Sequence, residues 1–229
     1  MKKIYIIHGW AYNLDKWNDF CKHLKQAGYE PVQLRVPGLT EPSDQTFTID
    51  DYVGWLDEQL KHEKGECVVM AHSNGGRIAL HYLAQHPGAI SKLILVDSAG
   101  NDIAGRVGWK RRIITPLAKV AKRFIRSAGY RKAVYKFIKA TDYHNAPPNM
   151  KATMQNMLES DRGFDEQIRG IHVPCLIVWG ERDQLTPLRD GKKLAELLRA
   201  KLHVIKEARH APFATHPREV LALVKEFLQ

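Results

Sequence analysis

A serine among small residues, in Ala71-His72-Ser73-Asn74-Gly75-Gly76, follows a short apolar run and leads straight into a stretch of helical period. The small-x-Ser-x-Gly pattern between strand and helix describes a nucleophile elbow. Tight packing there admits only small flanking residues, and the serine stands exposed on a strained turn at a helix N-terminus. A hydroxyl attacks poorly until a base takes its proton and a third group orients that base. His210, in Glu207-Ala208-Arg209-His210-Ala211-Pro212, and Asp183, in Trp179-Gly180-Glu181-Arg182-Asp183, each follow a predicted strand. The order Ser, Asp, His is the one that accompanies this elbow. The chemistry such residues would perform is acyl transfer: Ser73 attacks a carbonyl, His210 shuttles the proton, and Asp183 holds the imidazolium. Asp97, after the fourth predicted strand, is a second candidate for the acid, although packing or hydrogen bonding is the more ordinary use of such a residue.

Acyl transfer also needs preorganised donors for the oxyanion of the tetrahedral intermediate. By the geometry of an elbow the backbone amide of Asn74 is one donor. The amide of Trp10, in His8-Gly9-Trp10 after the first predicted strand, is expected to be the other. His8 has no His, Asp or Glu at ligand spacing, so no metal site is expected. His72 sits beside the nucleophile, but its place on a strand end points it away from the face of Ser73 and gives it a structural role.

These residues need a scaffold that brings distant loops together. Val- and Ile-rich runs recur at Ile4–Ile7, Val32–Val36, Cys67–Ala71, Leu93–Val96, Leu176–Trp179 and Leu202–Ile205, and read as six buried strands. Between them lie stretches of helical period at Leu14–Ala27, Ile49–His62, Gly76–His86, Pro187–Arg199 and Pro217–Leu228. Alternation of strand and helix implies an α/β fold with a mostly parallel sheet covered on both faces. In such a sheet the carboxyl ends of the strands share one edge, where Ser73, Asp183 and His210 can converge. The exception is Asn101–Ile171, about 70 residues without a strand signal. It carries helix signals instead: Thr115 as N-cap, Pro116 at the first helical position, an apolar stripe of Leu117, Val120, Ala121, Phe124 and Ile125, and Gly129 as terminator. Further stripes follow at Val134, Phe137 and Ile138 and around Met150–Leu158. The expected organisation is a core domain of residues 1–100 and 172–229, with residues 101–171 as a helical cap over the sheet.

The chain has 229 residues, 44% of them hydrophobic, a size and composition that suit one domain with a substantial core and exclude a disordered or collagen-like chain. The net charge is +10, but its location matters more than its size. Of the 35 Lys and Arg, twelve fall between Arg106 and Ala140, a segment without Asp or Glu, and elsewhere 23 stand against 25 acidic residues. Cys21, Cys67 and Cys175 are odd in number and widely spaced, as reduced thiols of a cytoplasmic protein would be. The apolar run after Met1-Lys2-Lys3 ends at His8-Gly9, too short for a signal peptide, and no run is long enough to span a membrane.

Together His8-Gly9-Trp10, Pro37-Gly38, Ala71-x-Ser73-x-Gly75, Trp179-Gly180-x-x-Asp183 and His210 resemble the α/β-hydrolase superfamily over essentially the whole chain, with an insertion where members carry a cap. The resemblance implies an α/β-hydrolase fold, shortened to six strands because the chain starts at the family's third, and a serine esterase without metal or organic cofactor. Two residues depart from the usual pattern: Ala71 stands in place of glycine, and Asn74 in place of an apolar residue. Serine at 73 separates the chain from the haloalkane dehalogenases and epoxide hydrolases, which use aspartate there. The decapeptide His8 to Trp17 further resembles the start of the pimeloyl-acyl-carrier-protein methyl ester esterases of biotin synthesis, whose basic cap residues receive an acidic carrier protein. The triad reading gives a carboxylic ester or thioester substrate, and the basic segment suggests its delivery by an acidic acyl carrier protein or an anionic lipid surface. The alternative is a non-catalytic protein of the same fold whose basic segment docks an acidic partner or nucleic acid. Phosphate binding by that charge is non-specific and leaves the triad unexplained, so no specific nucleic acid is expected.

Overall fold

The computed structural model describes residues 1–63, 65–101 and 146–229. The first part of the chain forms β1 (Lys2–Ile7), α1 (Asp15–Gln26), β2 (Tyr29–Gln33), α2 (Ile49–Leu60), β3 (Val68–His72), α3 (Asn74–Gln85) and β4 (Lys92–Val96). The rest forms α4 (Pro148–Ser160), α5 (Asp165–Arg169), β5 (Cys175–Gly180), α6 (Leu188–Leu198), β6 (Lys201–Ile205), α7 (Pro212–Thr215) and α8 (Pro217–Leu228). The strands make a single sheet in the order β2-β1-β3-β4-β5-β6, with each neighbouring pair parallel. The predicted six-stranded parallel sheet is therefore the one observed.

Side chains of the central strands alternate between two cores, as a period of two requires. Ile7, Val69, Ala71, Leu93, Leu95, Ile177 and Trp179 pack with α2, α3 and α6 on one face. Ile4, Ile6, Val68, Met70, Ile94, Val96 and Val178 pack with α1, α7 and α8 on the other. The register sets Ile7 opposite Ala71, His72 opposite Val96, and Val96 opposite Val178. The strands consequently run out together, and His8, Ser73, Asp97 and Glu181 begin the loops along one edge.

Two strand expectations need correction. The second strand lies at Tyr29–Gln33 and not at Val32–Val36, because the chain turns at Val36, whose carbonyl accepts the amides of Leu39, Thr40 and Glu41. Neither outer strand is buried throughout: β2 holds Pro31 and pairs only with β1, and Val204 of β6 is 40% exposed. The third helix starts at Asn74, two residues earlier than its apolar period suggests, so that it follows Ser73 at once.

The stripe around Met150–Leu158 is helical, burying Met150 and Met157 while Leu158 faces solvent. With Phe164, Ile168 and Ile171, the two buried methionines join the core over α2 and α3. The predicted cap helices at residues 115–138 and the basic run 106–139 lie outside the described residues. Among the described residues the three cysteines are free thiols, and no helix is long and apolar enough to cross a membrane.

Glycine is required where strand and helix meet. A Cβ on Gly75 would stand 2.2 Å from the backbone oxygen of Ile7, which the sheet holds in place. Gly54, exposed in the middle of α2, has no neighbour within 4 Å of the same position. Gly75→Ala is expected to lower stability by about 2 kcal/mol or more, and Gly54→Ala to raise it by about 0.5–1 kcal/mol. Urea midpoints of the two variants check the pair.

Candidate active site

Ser73 adopts φ 50° and ψ −117°, a conformation that few non-glycine residues enter. The fold imposes it through three backbone hydrogen bonds at normal lengths: Ser73 N–H donates to Val96 at 3.1 Å, and the Ser73 carbonyl accepts from Ala99 at 2.9 Å and Gly76 at 3.0 Å. On the opposite side Gly9 presses against the turn, where an added Cβ would lie 2.9 Å from both Ser73 Cβ and His72 Nδ1. The backbone of His8-Gly9-Trp10 thus runs directly beside the serine. Asn74 opens α3, where its own amide and that of Gly75 have no acceptor within the helix.

His210 and Asp183 arrive from the loops after β6 and β5. Ser73 Oγ lies 2.9 Å from His210 Nε2, and His210 Nδ1 lies 2.7 Å from Asp183 Oδ2. Asp183 Oδ1 accepts the amides of Leu185 at 2.7 Å and Thr186 at 3.1 Å, and the Thr186 hydroxyl lies 2.7 Å from Oδ2. Burial pushes the Asp183 carboxyl up, but the hydrogen bond and charge of His210, with the donors of Thr186 and Leu185, bring it below its ordinary value. The site therefore pairs a hydroxyl, an imidazole and an ionised carboxylate in one line of hydrogen bonds.

The neighbouring histidines serve as supports. His72 Nε2 lies 2.6 Å from the carbonyl of His210, and since a carbonyl only accepts, this nitrogen carries the proton. Burial, with the nearby His210, pushes His72 down to about 3, so it stays neutral. Its ring is wedged edge-on against Trp17 and Phe213. His8 is closed on both nitrogens, by the Gly9 carbonyl and the Thr40 hydroxyl, each at 2.7 Å. His72, Asp97 and His210 bring possible donor atoms within 4.8 Å of one another. Both nitrogens of His210 and Nε2 of His72 are already committed to hydrogen bonds.

Asp97, the second candidate acid, meets the amide of Gly180 at 2.8 Å instead of His210. Burial first, and the charge of Asp183 second, raise its carboxyl well above the ordinary value. Sequence reasoning missed Thr186, although the spacing Asp183-x-x-Thr186 is a local turn signal. It also missed a buried network behind the elbow. Arg77 Nε and Nη2 each lie 2.8 Å from an oxygen of Asp161, and Arg77 Nη1 donates to Asn74 Oδ1. Arg77 lies on the same face of α3 as Asn74, but no local pattern announces Asp161, far along the chain.

A family model described as Hydrolase_4, serine aminopeptidase S33, matches residues 1–215. The chain belongs to this family of α/β hydrolases. Among known proteins the hydrolase is similar to the pimeloyl-[acyl-carrier protein] methyl ester esterase of Neisseria meningitidis serogroup C, 26% identical over 247 residues that cover 100% of this chain and 94% of that one. It is also similar to the AB hydrolase superfamily protein YisY of Bacillus subtilis, 23% identical over 254 residues, covering 99% and 91%. An esterase structure from Thermogutta terrifontis shares the fold with TM-score 0.73 at 20% identity, over 100% of this chain and 89% of that one.

The unlike states of the two carboxyls give the hydrolase a specific pH dependence. Folded Asp97 keeps a proton that the unfolded chain releases above the ordinary value of 3.8. Stability from this group is thus complete below that pH and is lost as pH rises through the elevated folded value. Asp97→Asn removes the effect. Its stability relative to wild type is expected to be level below about pH 4 and to climb steadily above it, as urea midpoints measured from pH 4 to 8 will show.

Proposed function

We propose that this carboxylic ester hydrolase works through a Ser73, His210, Asp183 triad and an acyl-enzyme. The observation that carries the reading is the continuous path from Ser73 Oγ through His210 to Asp183, with contacts of 2.9 and 2.7 Å. His210 Nε2 takes the serine proton as Oγ attacks the ester carbonyl, then returns it to the departing alkoxide. Water repeats the sequence on the acyl-enzyme and releases the acid. The amides of Asn74 and Trp10 receive the oxyanion, one at the start of α3 and the other on the strip that Gly9 lets approach the serine. Asp183, held ionised, fixes the Nδ1–H tautomer and stabilises the imidazolium. Side chains, these two backbone amides and water account for each step of this reading.

A fluorophosphonate is expected to label Ser73 alone, as peptide mapping will reveal. Ser73→Ala should keep less than about a thousandth of wild-type kcat/KM, and Asp183→Asn should lose at least about a hundredfold. Asp97→Asn should stay within about tenfold, because Asp97 meets Gly180 and not the imidazole. A larger loss in Asp97→Asn than in Asp183→Asn would reassign the acid.

For substrate, the reading is an ester carried by an acidic acyl carrier protein. The twelve basic residues between Arg106 and Ala140 support it, as does the likeness to esterases named for a carrier-bound methyl ester. Clustered positive charge steers a negative partner and adds little to bond breaking. Reversing Lys119, Lys122, Arg123 and Arg126 to Glu should therefore leave p-nitrophenyl butyrate turnover within about twofold, while hydrolysis of a pimeloyl carrier-protein methyl ester falls at least about tenfold and loses its salt dependence. Equal losses on both substrates would refute recruitment by charge.

A further inference from the structure

The residue after the nucleophile carries a buried side chain that the proposed mechanism leaves idle. Asn74 is 3% exposed, and its Nδ2 is buried with no hydrogen-bond partner among the described residues. The orientation of this amide is fixed by chemistry. Arg77 has only donors, so the group it meets on Asn74 must be the carbonyl oxygen, and Nδ2 must face the other way. Arg77 cannot swing to follow another arrangement, because Asp161 grips it through two contacts of 2.8 Å and both side chains are almost wholly buried. A buried donor without an acceptor costs about 1–3 kcal/mol. It persists where something satisfies it when the protein works.

The position of that donor is constrained by covalent geometry. Nδ2 lies within about 5 Å of the backbone nitrogen of its own residue, the atom to which the proposed mechanism assigns the substrate's carbonyl oxygen. In an acyl group bearing oxygen on the carbon next to the carbonyl, the two oxygens sit about 3 Å apart, so two donors at this separation can hold both at hydrogen-bond length.

We propose that Asn74 is a specificity-determining residue whose Nδ2 donates to an oxygen on the α-carbon of the acyl group, with Arg77 and Asp161 as the residues that position it. The inference rests on Ser73 being the nucleophile. It makes α-oxygenated esters the favoured acyl class, because a site that holds a buried donor binds poorly to an analogue lacking the acceptor.

The test compares p-nitrophenyl methoxyacetate with p-nitrophenyl butyrate, which differ by one oxygen in place of a methylene. The ratio of their kcat/KM values is divided by the ratio of their rates with hydroxide, which removes the inductive effect of the oxygen. Wild type is expected to retain a corrected preference of about tenfold. Asn74→Asp keeps an acceptor for Arg77 but has no donor, and should bring the corrected ratio to about one even where the added charge slows both esters. Asn74→Leu, which restores an apolar side chain, should do the same.

A corrected wild-type ratio near one, or a preference that survives in Asn74→Asp, overturns the inference and leaves Asn74 as a partner for Arg77 only. Ser73→Ala separates the two levels of the argument. If it is inactive on both esters while the preference survives in Asn74→Asp, the inference about Asn74 alone fails. If Ser73→Ala still turns over both esters, the nucleophile assignment fails, and the inference with it.

Discussion

A serine forced to positive φ is the constraint around which the rest of this molecule is arranged. At φ 50° and ψ −117° Ser73 stores about 1–3 kcal/mol of backbone strain, and no local preference would hold it there. The strain is offset by neighbours that cannot yield: β4 takes the serine amide, the turn after β4 donates to the serine carbonyl, and β1 closes down on Gly75. Those neighbours are the central strands of the sheet, buried on both faces. A weaker sheet would let the turn relax to an ordinary conformation, and the hydroxyl would leave its place opposite His210. Fold and site are in this sense one energetic object, with the two cores supplying rigidity to a few atoms at the edge of the sheet.

The acid side of the site is built on a different principle. Asp97 and Asp183 follow adjacent strands and share a buried pocket, where two negative charges would repel strongly. The surroundings separate them. Asp183 receives two amides, a hydroxyl and an imidazole, while Asp97 receives one amide and little else. The surroundings thereby push the two carboxyls apart, Asp183 below its ordinary value and Asp97 well above it. His72 adds a mechanical element by holding the His210 carbonyl from beneath, so that the loop after β6 is fixed at its backbone as well as at its imidazole.

Much of this was legible in the sequence because the determinants are local. A serine between small residues, a Trp-Gly before an aspartate, and short Val- and Ile-rich runs are patterns that physical packing imposes on neighbouring positions. The outer strands were read less well. Their half-exposed faces weaken the apolar signal, and the turn at Val36 that ends β2 early depends on hydrogen bonds from Leu39, Thr40 and Glu41. Asp161 was out of reach altogether, since its partnership with Arg77 exists only once the turn after α4 has been brought against α3. Asn74 shows the intermediate case: its departure from an apolar residue was visible, but its reason required knowing what lay three residues on and what gripped that arginine.

The buried ion pair of Arg77 and Asp161 also bears on how such a chain can change over evolutionary time. Asn101 fastens the outgoing chain by donating to the carbonyl of Asp190 at 3.1 Å. The returning chain is fastened first through α4, where the Thr153 hydroxyl accepts the Phe47 amide at 2.9 Å, and then through Asp161, which holds Arg77 of the helix that follows Ser73. The intervening stretch leaves and re-enters at two fixed points. For a loop anchored at both ends, doubling the length adds only about 0.6 kcal/mol of closure entropy. By closure entropy alone, changes of length between Asn101 and the start of α4 cost the scaffold little, whereas α4 itself is bound into the core through Met150 and Met157 and must stay with the elbow, the carboxyl pair and the sheet.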